Sequence, residues 1–184
     1  MDYNGRKLVP YIPPSEYDKV AHEFLEQFYP DALKNPMPIP IEEIARTGLG
    51  LDVHYVCLSE ELDIYGMTIF TDGAVEVYDP GERLYDTRIF KAKTVLIDPE
   101  AVKKTNTGCR NNTIAHECVH WYKHRYYYKM QKFSLPRYAK YCKCHVDQLP
   151  ESKDEENIME SQAIGIAPRI LMPKNTFIEA AEHL

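Results

Sequence analysis

His116-Glu117-Cys118-Val119-His120 is an HExxH pentapeptide, with two imidazoles four residues apart and a carboxylate beside the first. On a helix, side chains at i and i+4 share one face at roughly 6 Å, so both rings can close on a single cation. Glu117, one residue after the first ring, can lean over that ion rather than ligate it. Two neutral imidazoles, a third protein donor and one position left for water make up a catalytic zinc centre. The expected chemistry is hydrolytic. Zn2+ makes the water acidic, Glu117 takes its proton as general base, and a peptide carbonyl is attacked.

Five residues are a short motif, and a surface helix carrying two incidental histidines is the bland alternative. The surroundings favour chemistry. Asn111, Asn112 and Thr113, after Gly108, offer N-cap oxygens, so a helix is expected to start there. Ile114, Ala115, Cys118, Val119 and Trp121 then supply enough apolar surface to bury it.

The third ligand is not in the motif helix. The positions where HExxHxxGxxH would need glycine and histidine hold Lys123 and Tyr126. His124 shares the face of His116 and His120 but sits roughly 12 Å along the axis from His116, too far to share an ion. A carboxylate on a following helix is the simplest source, and Glu151, Glu155, Glu156 and Glu160 are the candidates. Glu160 is favoured because it lies mid-helix among apolar neighbours, where an unpartnered carboxylate is costly to bury. Tyr122, His124 and His145 are possible donors to a developing oxyanion, and spacing does not choose among them. Cys142-Lys143-Cys144-His145 offers ligand types for a second metal. No second CxxC pair completes a structural set, so free thiols are the expectation. The five cysteines are an odd number and do not form a disulfide framework.

The elements that must hold these residues are legible in outline. Tyr17, Val20, Ala21, Phe24, Leu25 and Phe28 recur at helical spacing between Ser15 and Pro30. Pro36, Pro38 and Pro40 mark an extended connector, followed by a short helix from Ile41 to about Arg46 with Gly48 at its C-cap. Leu51–Cys57 alternates as a strand with Leu51, Val53, Tyr55 and Cys57 on one face. Ile64–Phe70 and Ala74–Tyr78 flank Asp72-Gly73, a hairpin signal. Thr94–Ile97 is a further strand. Beyond His120 the tyrosines at 122, 126, 127, 128, 138 and 141 alternate with Lys and Arg. A continued helix with packed rings is preferred there to a nucleic-acid surface. A last helix starts near Ser152, with Glu155 completing a capping box, and runs to Met172, kinked at Pro168. Helices, then a strand meander, then the motif helix make an α+β protein.

With these residues in view, the chain resembles the ImmA/IrrE family of zinc metallopeptidases. That family joins an HExxH helix to a downstream E-x-x-A…A-x-x-L-L-M-P segment. Here the segment reads Glu160-Ser161-Gln162-Ala163, then Ala167-Pro168-Arg169-Ile170-Leu171-Met172-Pro173. Ile41-Glu42-Glu43-Ile44-Ala45 and Leu96-Ile97-Asp98 agree as well, so the resemblance covers residues 40–173. It departs at Cys118, Val119 and Ile164, and in the long interval between His120 and Glu160. The resemblance implies Glu160 as third ligand, with His116 and His120, and Glu117 as catalytic base. It also implies a zincin-like fold, with the motif helix on a small, mainly antiparallel sheet and further helices on either side. Residues 1–40 would form an N-terminal helix and connector, and 41–184 the metallopeptidase domain, with a Tyr/Lys/Cys-rich insertion at about 122–150. The implied task is regulatory cleavage of a helix-turn-helix repressor in a bacterium or mobile element.

Two other classes compete. One is a metal-bound interaction module that relieves a repressor by binding, for which a retained Glu117 has no use. The other is a zinc hydrolase acting on a non-peptide amide. A net charge of −6 argues against direct nucleic-acid binding. No run of 18 apolar residues spans a membrane, and Met1–Pro14 lacks a secretory core, so a cytoplasmic location is expected.

Overall fold

The computed structural model describes residues 9, 11–103, 106–130, 138–145 and 154–182. Helix α1 spans Tyr17–Phe28, and the apolar stripe read from the sequence is the face it buries. Pro30–Leu33 adds one tight turn before the extended connector. Helix α2 starts at Ile41 and widens over Ile44–Gly48 into an i→i+5 turn. Gly48 is therefore inside the turn, and Gly50, at φ 65°, takes the left-handed position expected of it.

Strands β1 (Asp52–Tyr55), β2 (Ile64–Ile69), β5 (Thr94–Ile97) and β6 (Tyr141–His145) form one mixed sheet in the order β1-β5-β2-β6. β1 runs parallel to β5, and the other two pairings are antiparallel. Val53 on β1 and Leu51 just before it are buried, but Tyr55 is 42% exposed and its hydroxyl donates to Glu42.

The Asp72-Gly73 hairpin does not form. Both edges of β2 are taken, by β5 and β6, so β3 (Gly73–Asp79) pairs with β4 (Leu84–Phe90) in a separate two-stranded sheet. Asp72 instead accepts from the backbone N–H of Ala92 at 2.8 Å, tying down the approach to β5. Gly73 passes under residues 138–139 so closely that a Cβ there would strike the backbone of Ala139. Strand β4 escaped the sequence reading because nearly all of it is exposed, leaving no buried face to pattern it.

Strands β2 and β5 are covered on both sides. One side carries the helices. The other carries a smaller cluster including Met67, Val75, Val77, Leu96 and Ala139. This explains why their residues are buried without alternation.

Asp98, fully buried, ends β5 by accepting from the N–H groups of Leu58, Glu100 and Ala101, which starts helix α3 (Pro99–Lys103). Helix α4 spans Thr107–Val119. Its cap is Asn106, whose side chain accepts from Cys109 N–H at 2.9 Å, one turn earlier than Asn111–Thr113 suggested. An i→i+5 turn, His120–His124, leads into helix α5, Arg125–Met130. Tyr127 and Tyr128 are buried there, with Tyr128 stacked 4.0 Å from Phe70, as a packing role requires. The helix does not continue through the rest of the presumed insertion, because Tyr141–His145 is strand β6.

Helix α6 (Glu155–Leu171) is capped by Asp154, which accepts from Asn157 N–H at 2.8 Å; Ser152 lies outside the described residues. The helix carries on past Pro168. Met159, Ala163, Ile166, Ala167 and Ile170 bury against α1 and α4, and Gly165 admits the Tyr17 ring where a Cβ would collide with it. Helix α7 (Lys174–Glu182) follows. The protein is α+β, and no helix among the described residues is long and apolar enough to cross a membrane.

Candidate metal centre

α4 packs on β2 and α6 packs on α4, so residues from both helices meet over the sheet. His116 and His120 are buried, with their Nε2 atoms 2.9 Å apart. Glu160 reaches both from α6, with Oε2 3.2 Å from His116 Nε2 and Oε1 3.1 Å from His120 Nε2. The three residues chosen from the sequence thus form one group of metal-capable donors, 40 residues apart along the chain for the last pair but adjacent in space. Of the competing carboxylates, Glu155 and Glu156 do not join it, and Glu151 lies outside the described residues.

His124 falls outside the donor group and contacts His120 instead. Its Nε2 lies 2.9 Å from Gln162 Oε1, and its Nδ1 lies 3.1 Å from His120 Nδ1. Burial, helped by His120, pushes the His124 pKa down to about 3, so at neutral pH the ring carries one proton. With Gln162 Oε1 accepting, that proton sits on Nε2. His124 Nδ1 then accepts from His120 Nδ1–H, which keeps His120 Nε2 turned toward Glu160. Two imidazole nitrogens and a carboxylate held this close are a donor set that fits a divalent ion.

Gln162 was missed in the sequence because an amide two residues from a ligand carries no signal until its partner is known. Fixing the ligand tautomer through an outer partner is worth 10–100-fold in metal affinity in comparable centres. Gln162→Leu is therefore expected to weaken metal binding by about 10- to 100-fold in competition with a chromophoric chelator. Unchanged affinity would remove the His124 relay from the account.

Glu117 is fully buried beside the rings. Thr68 Oγ1 donates to its Oε2 at 2.6 Å, while Oε1 has no hydrogen-bond partner among the described residues. Space for this carboxylate comes from Gly66, where a Cβ would stand 2.8 Å from Glu117 Oε1 and 2.8 Å from Thr113 Cγ2. Burial lifts the Glu117 carboxyl to about 8, against the opposing pull of His120 and the Thr68 hydrogen bond. The Glu160 carboxyl behaves oppositely. Burial acts to raise it, but the His120 ring and contacts to both imidazoles outweigh that and hold it well below the usual range.

The raised Glu117 value has a stability consequence in the metal-free protein. Between its ordinary 4.5 and about 8 the unfolded chain gives up this proton while the folded chain keeps it, so stability falls as pH rises through that window. Glu117→Gln removes the penalty. The metal-free variant should gain on wild type progressively from pH 4.5 to 8, by on the order of 3–5 kcal/mol in urea unfolding. Parallel pH profiles would contradict a buried carboxyl at this position.

The other oxyanion candidates do not gather here. Tyr122 packs edge-on against Phe24 at 5.4 Å and Phe28 at 6.0 Å, and His145 joins no group of donors. Cys144 does approach the centre: His116, Glu117 and Cys144 form a second group of metal-capable atoms. Comparison with protein-family models, curated proteins and solved structures finds no match to this chain.

Proposed function

We propose that this chain is a zinc-dependent endopeptidase of zincin-like fold, related to the ImmA/IrrE metallopeptidases, that cleaves a helix-turn-helix repressor. The observation that carries the reading is the meeting of Glu160 with the paired imidazoles beside a buried Glu117 that keeps one carboxylate oxygen unengaged. Two imidazoles and one carboxylate are a catalytic zinc donor set, as distinct from the four-ligand sets of structural sites.

His116, His120 and Glu160 would hold the ion. When bound, zinc would lower the pKa of water towards ~7 and polarise the substrate carbonyl. Thr68 fixes Glu117 Oε2, which leaves Oε1 to take a proton and return it to the leaving amine. A cation held beside this buried carboxyl would favour its ionised form, which a general base requires. Gln162 and His124 keep His120 in the tautomer that can ligate. Glu117 is also what separates this reading from a binding-only module, because holding an ion requires no buried base.

The test is incubation of the zinc-loaded chain with a candidate helix-turn-helix repressor, read by mass spectrometry. The expected result is a discrete pair of fragments, abolished by a zinc chelator and restored by added Zn2+. An intact repressor that nevertheless releases its DNA in the presence of the chain would favour relief by binding.

A further inference from the structure

Cys144 has no part in the proposed reaction, yet it stands at the rim of the centre. Its sulfur, a ring nitrogen of His116 and a carboxylate oxygen of Glu117 all lie within 4.8 Å of one another. Strand register explains the placement. Cys144 is opposite Gly66 across the β2–β6 pair, and directly opposed residues point to the same face. That face is the one where a Gly66 Cβ would meet Glu117 Oε1, the oxygen with no hydrogen-bond partner among the described residues. Cys142, two residues earlier, is opposite Thr68, whose hydroxyl holds the other Glu117 oxygen. β6 therefore lays a thiol beside the base on the side that β2 leaves open by having glycine there.

The two donor groups, His116–His120–Glu160 and His116–Glu117–Cys144, share His116. A cysteine sulfur swings on one rotatable bond, and thiolate is a favoured zinc ligand, softer than oxygen. We propose that Cys144 is a fourth protein donor to the ion held by His116, His120 and Glu160, and that its ligation closes the centre to substrate. The proposal rests on the metal-centre reading above. Ligation releases the thiol proton to solvent. Three protein donors leave a position free for reaction, whereas four make the closed arrangement of a structural site. The chain would then exchange between a closed form with the sulfur bound and an open, competent form, so wild type turns over only through its open fraction.

Cobalt(II) in place of zinc distinguishes the possibilities without an activity assay. Wild type, Cys144→Ser and, as a control, Cys109→Ser are titrated with Co2+ and followed by absorption. The expected result is a sulfur-to-cobalt charge-transfer band in the near ultraviolet for wild type and Cys109→Ser, lost in Cys144→Ser while the visible cobalt bands persist. Cobalt affinity should fall by about 10-fold or more in Cys144→Ser, since loss of an outer partner alone costs that much. Acetohydroxamate, a small chelating ligand for an open position, should alter the visible bands of Cys144→Ser at lower concentration than those of wild type. Visible bands without the sulfur band in wild type, or a sulfur band that survives in Cys144→Ser, would overturn the thiol proposal and leave the metal centre standing. Failure of wild type to bind cobalt would overturn both.

Discussion

Glu117→Gln is expected to lower kcat for repressor cleavage by about 10²- to 10⁴-fold, the usual contribution of a positioned general base. KM and zinc content should stay at wild-type values. Glutamine keeps the shape of the side chain and can still accept from Thr68 Oγ1, which now donates to Glu117 Oε2 at 2.6 Å. What it loses is the ability to take a proton at the second position. Glu117 is not among the three donors that converge from α4 and α6, so its replacement leaves them intact. A fall in kcat with KM unchanged is the signature of an interaction used in the transition state only. Undiminished cleavage would place the base elsewhere. Loss of zinc together with activity would make Glu117 a ligand instead.

The second large effect is on the metal itself. Glu160→Ala removes the one donor that α6 supplies and is expected to weaken zinc binding by more than about 100-fold, beyond the 10–100-fold cost of an outer partner. Because an ion that binds only the folded state stabilises it, wild type at 100 times its Kd gains about 2.7 kcal/mol. Glu160→Ala should lose most of that metal-dependent gain in thermal unfolding. Glu155→Ala and Glu156→Ala are the comparison, since both residues are on the same helix but outside the donor group. Retention of zinc by Glu160→Ala alongside its loss from either of these would reassign the third ligand.

Legibility in the sequence followed the physics of each feature. Paired histidines at helical spacing announce themselves through the i, i+4 rule, which holds here across the junction of α4 and the turn that opens at His120. Glu160 could be favoured because a carboxylate among apolar neighbours implies a partner, and His116 and His120 are that partner. Strand pairing was not readable in the same way. Asp72-Gly73 is a local turn signal, but whether β2 pairs with β3 depends on competition for the β2 edges, which β5 and β6 win from sequence-distant positions. β6 itself reads as a run of tyrosines, lysines and cysteines, and only its register against β2 shows why Cys142 and Cys144 face the helix. The roles of Thr68 and Gln162 are likewise invisible until the side chains they touch are known. Axial distance from His116 argues against His124 as a ligand but says nothing about its contact with His120.

The most direct measurement is anomalous diffraction at the zinc edge from crystals of the zinc-loaded wild-type chain. One peak is expected between α4 and α6, about 2.0–2.2 Å from a nitrogen of His116, a nitrogen of His120 and a carboxylate oxygen of Glu160. An occupied zinc bound to the two rings while the Glu160 carboxylate stands outside bonding distance would contradict it.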